Sequence, residues 1–267
     1  MAEKCTIALT IAGFDPSSGA GVTADLKVFA AHGVYGVAAI TALTVQSTQG
    51  VRRVEPSSPE TLRQTLDCLA EDMEISGVKI GMLATEAVVG VVSDFLAESV
   101  IPASRVVLDP VLRSSSGREL LSNEGVNRLK RDLLHLVGWV TPNIAELAIL
   151  VEKPVSGREA VPEAAALLAE KHPSLNIVVT GGHLESPDDF LRTLDGIEEW
   201  FPGQRVQTRA THGTGCTFSS ALLSRLLAGD SSSHAVFAAK THVAEAMKAA
   251  RPIGKGRGPL HHLYRSG

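Results

Sequence analysis

The chain has 267 residues, 44% hydrophobic and 20% charged, enough for one large core in a single domain spanning residues 1–267. Its net charge is −4 without a basic run, which argues against binding to nucleic acid or an anionic membrane. No apolar run is long enough to cross a bilayer, and residues 1–6 show no signal-peptide pattern. Cys5, Cys68 and Cys216 lack zinc-site or disulfide-framework spacing. We therefore expect a cytoplasmic protein.

Short β-branched runs alternate with helix-length segments along most of the chain. In chain order, the patterns predict strands at 6–12, 36–42, 77–81, 105–109, 139–141 and 176–179. They predict helices at 24–32, 60–71, 85–99, 125–136, 144–151, 159–171, 216–227 and 233–251. This alternation favours an α/β fold with a mostly parallel central sheet covered by helices on both faces. Asp195-Gly196, between two short apolar runs, predicts a small β-hairpin within 190–208.

The segment 211–217 reads Thr-His-Gly-Thr-Gly-Cys-Thr and leads directly into an apolar helical run. A glycine-rich turn that opens a helix leaves several backbone N–H groups without partners, and the helix dipole adds positive potential there. Such a turn suits an anion, including the charge on a transferring phosphoryl group. An ordinary helix N-cap is the alternative on this motif alone, because Thr and Gly are common at helix starts.

Two further glycine turns follow predicted strands. The first, at 12–21, has neither the phosphate-loop motif nor dinucleotide-binding spacing, and the second contains Gly181-Gly182. Each alone is compatible with a tight strand-to-helix turn. Open α/β sheets bind ligands at the carboxyl ends of their parallel strands, so three such turns together favour a phosphoryl-transfer site.

Several motifs, in this order and spacing, match one family. They are AGFDPSSGAGVTADL (12–26), IGML (80–83), LDPV (108–111), TPNIAE (141–146), GGH (181–183), HGTGCT (212–217) and GKGRGPLHH (254–262). Together they closely resemble hydroxymethylpyrimidine/phosphomethylpyrimidine kinase, the thiamin-biosynthesis branch of the ribokinase-like superfamily. The resemblance implies a three-layer α/β/α ribokinase-like fold and a homodimer. It also implies two successive transfers from ATP, first to 4-amino-5-hydroxymethyl-2-methylpyrimidine and then to its monophosphate.

The resemblance also assigns site residues through the matching motifs. Catalysis would involve the turn residues Gly213, Thr214, Gly215 and Cys216. The pyrimidine would contact Gly13, Asp25, Gln46, Met82 and Val111. ATP would contact Asn143, Thr180, Gly182 and Thr211, and Mg²⁺ would be served by Asp109 and Glu146.

The chemistry of these residue types agrees with the assigned roles. The Gln46 amide both donates and accepts, Met82 offers an adaptable apolar wall, and magnesium uses only one or two protein carboxylates beside phosphates. Simpler alternatives are an exposed helix carboxylate for Asp25, a turn cap for Asp109, and an acidic first-turn residue for Glu146.

Cys216 stands where most sugar kinases of the superfamily carry a catalytic aspartate. A thiol at a helix N-terminus is expected to have a lowered pKa, so a thiolate base is one interpretation and a small packing residue the other. In the second transfer the nucleophile is a phosphate oxygen that is already ionised. We therefore expect Cys216→Ala to harm the first transfer more than the second.

Three positions depart from the family pattern. Ser18 replaces a common glycine, which is tolerated unless its φ is positive. Thr180 replaces a lysine expected near the ATP phosphates, and Arg113 is either a compensating cation or an exposed loop arginine. Two competing functions stay open: a pyridoxal or pyridoxine kinase, and a pyrimidine-binding regulator without catalysis.

Overall fold

The computed structural model describes residues 5–114, 117–182 and 184–265, and within them nine strands form one sheet in the order β3-β2-β1-β4-β5-β6-β7-β8-β9. The strands are β1 (Ile7–Phe14), β2 (Tyr35–Ser47), β3 (Gly50–Pro56), β4 (Gly77–Ile80), β5 (Val106–Leu108), β6 (Trp139–Val140), β7 (Asn176–Val179), β8 (Asp189–Arg192) and β9 (Glu198–Phe201). His183, the last residue of the Gly-Gly-His motif, lies outside the described residues.

Eight α-helices connect or flank these strands in the described ranges. They are α1 (Gly21–Ala31), α2 (Pro59–Asp72), α3 (Glu86–Glu98), α4 (Asn123–Arg128), α5 (Ile144–Val151), α6 (Val161–Lys171), α7 (Thr214–Leu227) and α8 (Ser232–Lys248). The predicted helix at 125–136 is only partly α-helical, because α4 continues as a π-turn over Leu129–Leu133 and a 3₁₀ turn over Leu134–Leu136. In the parts of the chain that the structure describes, no helix is long and apolar enough to span a membrane.

The sheet is mostly parallel, as predicted. Strands β2, β1, β4, β5, β6 and β7 pair in parallel, whereas β3, β8 and β9 run antiparallel to their neighbours. The predicted hairpin is β8–β9, in which Phe190 pairs with Trp200, and it extends the main sheet through β7. The hairpin β2–β3 was missed, because β3 is largely exposed and its sequence GVRRVEP lacks an apolar core pattern.

Each face of the sheet carries its own apolar layer. On one face, strand residues pack with side chains of α2 to α6, including the fully buried Leu66 and Leu147. On the other face, strand residues pack with α1, α7 and α8 through residues such as Phe29, Leu222 and Val236. The three-layer α/β/α fold is therefore confirmed.

The topology predicts a ligand-binding crevice at the edge formed by the carboxyl ends of the parallel strands. Strand β1 lies between β2 and β4. The next strands in the chain, β2 and β3, are added on one side of β1, whereas β4 and all later strands are added on its other side. Ligands of open α/β sheets bind outside the carboxyl ends of the strands at such a switch point. One glycine turn follows β1, the second follows β7, and the third begins α7. All three therefore lie toward this edge of the sheet.

Candidate active site

The turn before α7 has the geometry of an anion-binding site. Helix α7 begins at Thr214, and its first intrahelical bond runs from the Thr217 N–H to the Gly213 carbonyl oxygen at 2.9 Å. The amides of Thr214, Gly215 and Cys216 therefore precede the first hydrogen-bonded turn. Gly213 has φ +86°, and a Cβ there would lie 1.8 Å from the Gly19 carbonyl oxygen. Only glycine allows this turn to press against the loop after β1.

Asp15 organises that loop. Its carboxylate accepts hydrogen bonds from the backbone N–H groups of Ser17 (2.8 Å), Gly19 (3.2 Å) and Ala20 (3.0 Å), and it contacts His212 Nε2 at 2.7 Å. Burial raises the pKa of Asp15, but the hydrogen bonds from His212 and Ser17 outweigh it and hold the pKa below its usual value. Neither Asp15 nor His212 was assigned a role from the sequence. An aspartate two residues before a serine is a turn signal that could have pointed to Asp15.

Ser18 in the same loop adopts φ +63°, the left-handed conformation that favours glycine. Serine was expected to be tolerated here only if φ was not positive, so the replacement of glycine by Ser18 places strain in the backbone. The Ser18 carbonyl oxygen accepts a hydrogen bond from Lys27 Nζ at 2.8 Å, which holds the strained residue in place.

Three of the predicted pyrimidine contacts come together in one apolar wall. A Cβ on Gly13 would lie 2.8 Å from Met82 Cε, so the methionine rests directly on the Gly13 backbone. Met82 forms a small buried cluster with Ala42 and Leu120, against which Val111 packs. Gln46 lies at the far end of β2, half-buried, within 3.0 Å of the His212 ring.

Asp25 is held by side chains from other elements, and its predicted hydrogen bond to the pyrimidine amino group stays a prediction. Its side chain is fully buried, so the alternative of an exposed helix carboxylate is wrong. The carboxylate accepts hydrogen bonds from the Thr10 hydroxyl (2.6 Å) and the Ser220 hydroxyl (2.8 Å), and it pairs with Lys79 Nζ at 3.0 Å. These three protein donors occupy both oxygens beneath the crevice.

The Lys79 ammonium group is buried beneath the site. Burial alone lowers the pKa of Lys79, but the negative charges of Asp25 and Asp109 outweigh burial and raise it. A Cβ on Gly81 would lie 2.8 Å from Lys79 Nζ, so this lysine passes directly under the end of β4. Lys79 therefore supplies one fixed positive charge below the anion-binding turn.

Asp109, directly after β5, and Glu146, in the first turn of α5, form a buried acidic pair. The Asp109 carboxylate faces the turn, with Oδ2 3.5 Å from where a Cβ on Gly215 would stand. Glu146 closes a capping box with Asn143, whose N–H donates to Glu146 Oε2 at 2.9 Å. Burial raises the pKa of both carboxyl groups, and the charge of Asp109 raises that of Glu146 further.

The predicted ATP contacts lie at neighbouring strand ends. Thr180 forms an isolated parallel β-bridge with Asn143, and the Thr180 N–H donates to the Pro142 carbonyl oxygen at 2.9 Å. Gly182 is exposed, with open space where its side chain would be, and the half-buried Thr211 directly precedes the anion-binding turn. Arg113 is mostly exposed and pairs with Glu119 at 3.5 Å, as the loop-arginine interpretation predicts.

The expected low pKa of Cys216 is wrong. Burial raises the pKa of the thiol to about 12; the negative charge of Asp109 adds to this, and the positive charge of Lys79 only partly offsets it. The thiol also hydrogen-bonds to the Asp109 carboxylate. Cys216 is thus a neutral thiol near pH 7, because the nearby carboxylates and burial outweigh the helix N-terminus.

Comparison with known proteins gives a consistent family. The family model described as phosphomethylpyrimidine kinase matches residues 15–261. A hydroxymethylpyrimidine/phosphomethylpyrimidine kinase of Rhizobium meliloti (strain 1021) is 40% identical over 262 residues, 97% of each chain. The structure of phosphomethylpyrimidine kinase from Clostridium difficile 630 has a TM-score of 0.79 at 32% identity, covering 90% of this chain and 99% of that chain. An ADP complex of Bacillus subtilis pyridoxal kinase has a TM-score of 0.88 at 29% identity, covering 98% and 99%.

The comparisons agree with the motifs and with the site. The matched region contains the loop after β1 from Asp15 onward, the acidic pair and the anion-binding turn, and it ends within the terminal glycine-rich motif. The chain belongs to the phosphomethylpyrimidine kinase family, and it is a kinase.

Proposed function

We propose that the protein phosphorylates 4-amino-5-hydroxymethyl-2-methylpyrimidine with ATP and then phosphorylates the monophosphate to the diphosphate. The observation that carries this proposal is the meeting of three features at one sheet edge. These are the free amides of Thr214 to Cys216, the buried carboxylates of Asp109 and Glu146, and the apolar wall around Met82. We assign the whole chain to one kinase domain, and we place the reaction in the cytoplasm, where ATP is available.

The acidic pair fits a magnesium ion that accompanies ATP. Among the described residues no group of three or more His, Cys, Asp or Glu side chains is arranged to hold a metal by itself. Two carboxylates suffice for magnesium, which completes its shell with waters and phosphate oxygens. When bound, the ion would neutralise charge on the ATP phosphates. The residues that would hold it are Asp109 and Glu146, directly or through water.

The anion-binding turn would receive the transferring phosphoryl group. Amides of Thr214, Gly215 and Cys216 are already positioned before any ligand arrives, so they stabilise developing charge without reorganising. Asn143, Thr180, Gly182 and Thr211 would contact the nucleotide from the two sides of the crevice.

Cys216 enters this proposal as a neutral thiol beside the turn rather than as a preformed thiolate. We expect Cys216→Ala to lower the rate of the first transfer more than that of the second, because only the first nucleophile is a hydroxyl group, which the thiol sulfur could position as a weak hydrogen-bond partner. The measurement is the kcat of each transfer with the alcohol or the monophosphate as substrate. Equal losses would contradict a role at the hydroxyl group.

A homodimer is proposed from the exposed apolar residues of β2. Ile40, Leu43 and Val45 are each more than a third exposed, although they stand in a long strand of the main sheet. A second copy of the chain would cover them. Sedimentation should therefore give a dimer, and Leu43→Lys should shift it toward the monomer.

A pyridoxal kinase is the second candidate, because the structure of the Bacillus subtilis pyridoxal kinase has a higher TM-score than that of the Clostridium difficile enzyme. The deciding experiment incubates the protein with ATP, Mg²⁺ and either alcohol, and follows the products by mass spectrometry. We expect mono- and diphosphate from the pyrimidine. Turnover of pyridoxal alone would favour the second candidate, and binding of the pyrimidine without turnover would indicate a regulator.

A further inference from the structure

Gln46 is held at both ends of its side-chain amide. One end lies 3.0 Å from His212 Nε2, and the other lies 3.1 Å from the Thr44 hydroxyl oxygen. The same His212 nitrogen lies 2.7 Å from Asp15 Oδ2, and the same hydroxyl oxygen lies 3.0 Å from the Phe14 carbonyl oxygen. We call Asp15, His212 and Thr44 the amide clamp.

The hydrogen-bonding capacity of His212 decides which end of the amide it touches. An ionised carboxylate only accepts hydrogen bonds, and Asp15 is ionised, since its pKa lies below the usual value. His212 Nε2 must therefore carry a proton and donate it toward Asp15. A protonated ring nitrogen cannot accept a hydrogen bond from the Gln46 N–H. Because amide nitrogen and oxygen have nearly the same outline, a half-turn of the amide brings its oxygen to His212 instead.

The half-turned amide also satisfies the other end of the clamp. The Thr44 hydroxyl has one proton, which it donates to the Phe14 carbonyl oxygen, so its lone pair is free to accept. With the Gln46 nitrogen at that end, the amide donates to the Thr44 hydroxyl, while its oxygen shares the single His212 Nε2–H with Asp15 Oδ2 in a three-centre hydrogen bond. Each polar group then has a partner of the opposite kind, and the reverse orientation places two donors face to face.

We propose that His212, oriented by Asp15, is a specificity-positioning residue that fixes the Gln46 amide with its oxygen toward the anion-binding turn and its nitrogen away from it. The inference rests on the proposed function, because it concerns how the same site recognises its alcohol. His212 directly precedes Gly213, so the Gln46 atom beside His212 is the one nearer to the turn. The hydroxymethyl group that receives the phosphoryl group must also point to that turn.

The fixed amide matches the edge of the aminopyrimidine. Next to its hydroxymethyl group the ring carries an amino group, which donates, and beyond that a ring nitrogen, which accepts. With the hydroxymethyl group toward the turn, the amino group meets the Gln46 oxygen and the ring nitrogen meets the Gln46 N–H. Both hydrogen bonds then join a donor to an acceptor.

The same amide opposes pyridoxal. Next to its hydroxymethyl group pyridoxal carries a formyl oxygen, which only accepts, and this atom would face the Gln46 oxygen. Pyridoxal would need the amide turned over, which the clamp prevents. The clamp therefore discriminates partly by repulsion against the wrong ring, in addition to attraction for the right one.

The test replaces His212 by phenylalanine, which keeps a ring against Gly19 but removes the Nε2–H donor. The readout is the ratio of kcat/KM for the pyrimidine to kcat/KM for pyridoxal. We expect this ratio to fall about 10- to 100-fold, mainly through a higher KM for the pyrimidine, because the released amide can turn. His261→Phe makes the same chemical change at an exposed position and should leave the ratio unchanged.

A purely structural role for His212 would lower both activities equally and leave the ratio unchanged, which overturns the proposal. If His212→Phe does not fold, Thr44→Val decides, because it loosens the opposite end of the clamp without touching the anion-binding turn. It should lower the same ratio, and an unchanged ratio counts against the clamp.

The proposed function can fail separately from the clamp. If the wild-type protein phosphorylates neither alcohol, calorimetric affinities for the two alcohols without ATP give the same ratio and judge the clamp alone. A wild-type preference for pyridoxal overturns both the clamp and the choice of substrate.

Discussion

Two pairs of buried charged groups lie under the crevice, and they differ in sign and in partners. Asp25 and Lys79 carry opposite charges, touch at 3.0 Å and have no exposed side-chain surface. Asp109 and Glu146 carry like charges when both are ionised, and they remain slightly exposed, at 4% and 8%. Their carboxyl groups have raised pKa values, Asp109 chiefly through burial and Glu146 through burial and the charge of Asp109.

The difference indicates which pair belongs to the scaffold and which belongs to the reaction. A buried pair of opposite charges is satisfied without any ligand, so Asp25 and Lys79 can fix the relative positions of α1, β4 and α7. A buried pair of like charges is costly until a cation arrives. The acidic pair therefore costs stability in the free protein and gains it when Mg²⁺ and ATP bind.

The largest expected effect comes from breaking the first pair. Lys79→Met leaves the Asp25 carboxylate buried without its cation, and the free energy of unfolding should fall by about 3–5 kcal/mol. Urea denaturation measures the loss. The double variant Lys79→Met/Asp25→Asn removes both charges and should recover a large part of it. If the single variant lost no stability, the scaffold role of the pair would be wrong.

The second prediction concerns the acidic pair. Asp109→Asn removes one of two like charges, so the metal-free protein should become more stable by about 1 kcal/mol while turnover is lost. The wild type should gain about 2.7 kcal/mol at Mg²⁺–ADP concentrations 100-fold above Kd, and the variant should gain much less. Thermal denaturation with and without Mg²⁺–ADP measures both effects.

The matched control for this prediction is Asp72→Asn, an exposed aspartate at the end of α2, which should change neither quantity. An undiminished stabilisation of Asp109→Asn by Mg²⁺–ADP would show that the metal binds elsewhere.

The third prediction concerns His242, a buried histidine that is neutral in the folded protein. It tests whether burial alone makes the free energy of unfolding depend on pH. Burial lowers the pKa of His242 to about 4, and both ring nitrogens lack a hydrogen-bond partner among the described residues. The unfolded chain takes up a proton near pH 6.5 and the folded one does not, so stability falls as the pH drops from 6.5 toward 4. His242→Phe should remove about 2 kcal/mol of the loss between pH 7 and pH 5. An unchanged pH dependence would show that other groups cause the loss.

The smallest expected effect lies in the loop that leads to Asp25. Ser18→Gly relieves a left-handed backbone conformation and should raise the free energy of unfolding by about 1 kcal/mol. Ser17→Gly is the contrasting control, because the Ser17 hydroxyl donates to Asp15 at 2.7 Å and its loss should destabilise the protein. Equal effects of the two substitutions would contradict this account.

The fold was largely predictable because its strands and helices have strong local signals. Central strands such as Val106–Leu108 are continuously apolar, and the Asp195-Gly196 turn predicts the hairpin β8–β9. Strand β3 was not predictable in this way, since its stability comes from pairing with β2 rather than from burial.

The candidate site was predictable from sequence only where its geometry depends on hydrogen bonds to the backbone of nearby residues. The glycines of the turn before α7 and the cap formed by Asn143 and Glu146 follow from local sequence, because their hydrogen bonds join residues three or four apart. The surroundings of Asp25 were not predictable, since one helix carboxylate is compatible with an exposed, a ligand-facing or a buried position until its partners are known.

The amino-acid sequence by itself determined the α/β alternation, the glycine turns and the family. The tertiary structure alone decided the protonation state of Cys216. Its place at a helix N-terminus predicts a lowered pKa, but burial and the charge of Asp109 raise the pKa and keep the thiol neutral. It also joined Gln46 to His212, 166 positions apart in the chain. The physical reason is range: backbone geometry is set by near neighbours, whereas the charge and hydrogen bonding of a buried group depend on side chains from distant segments.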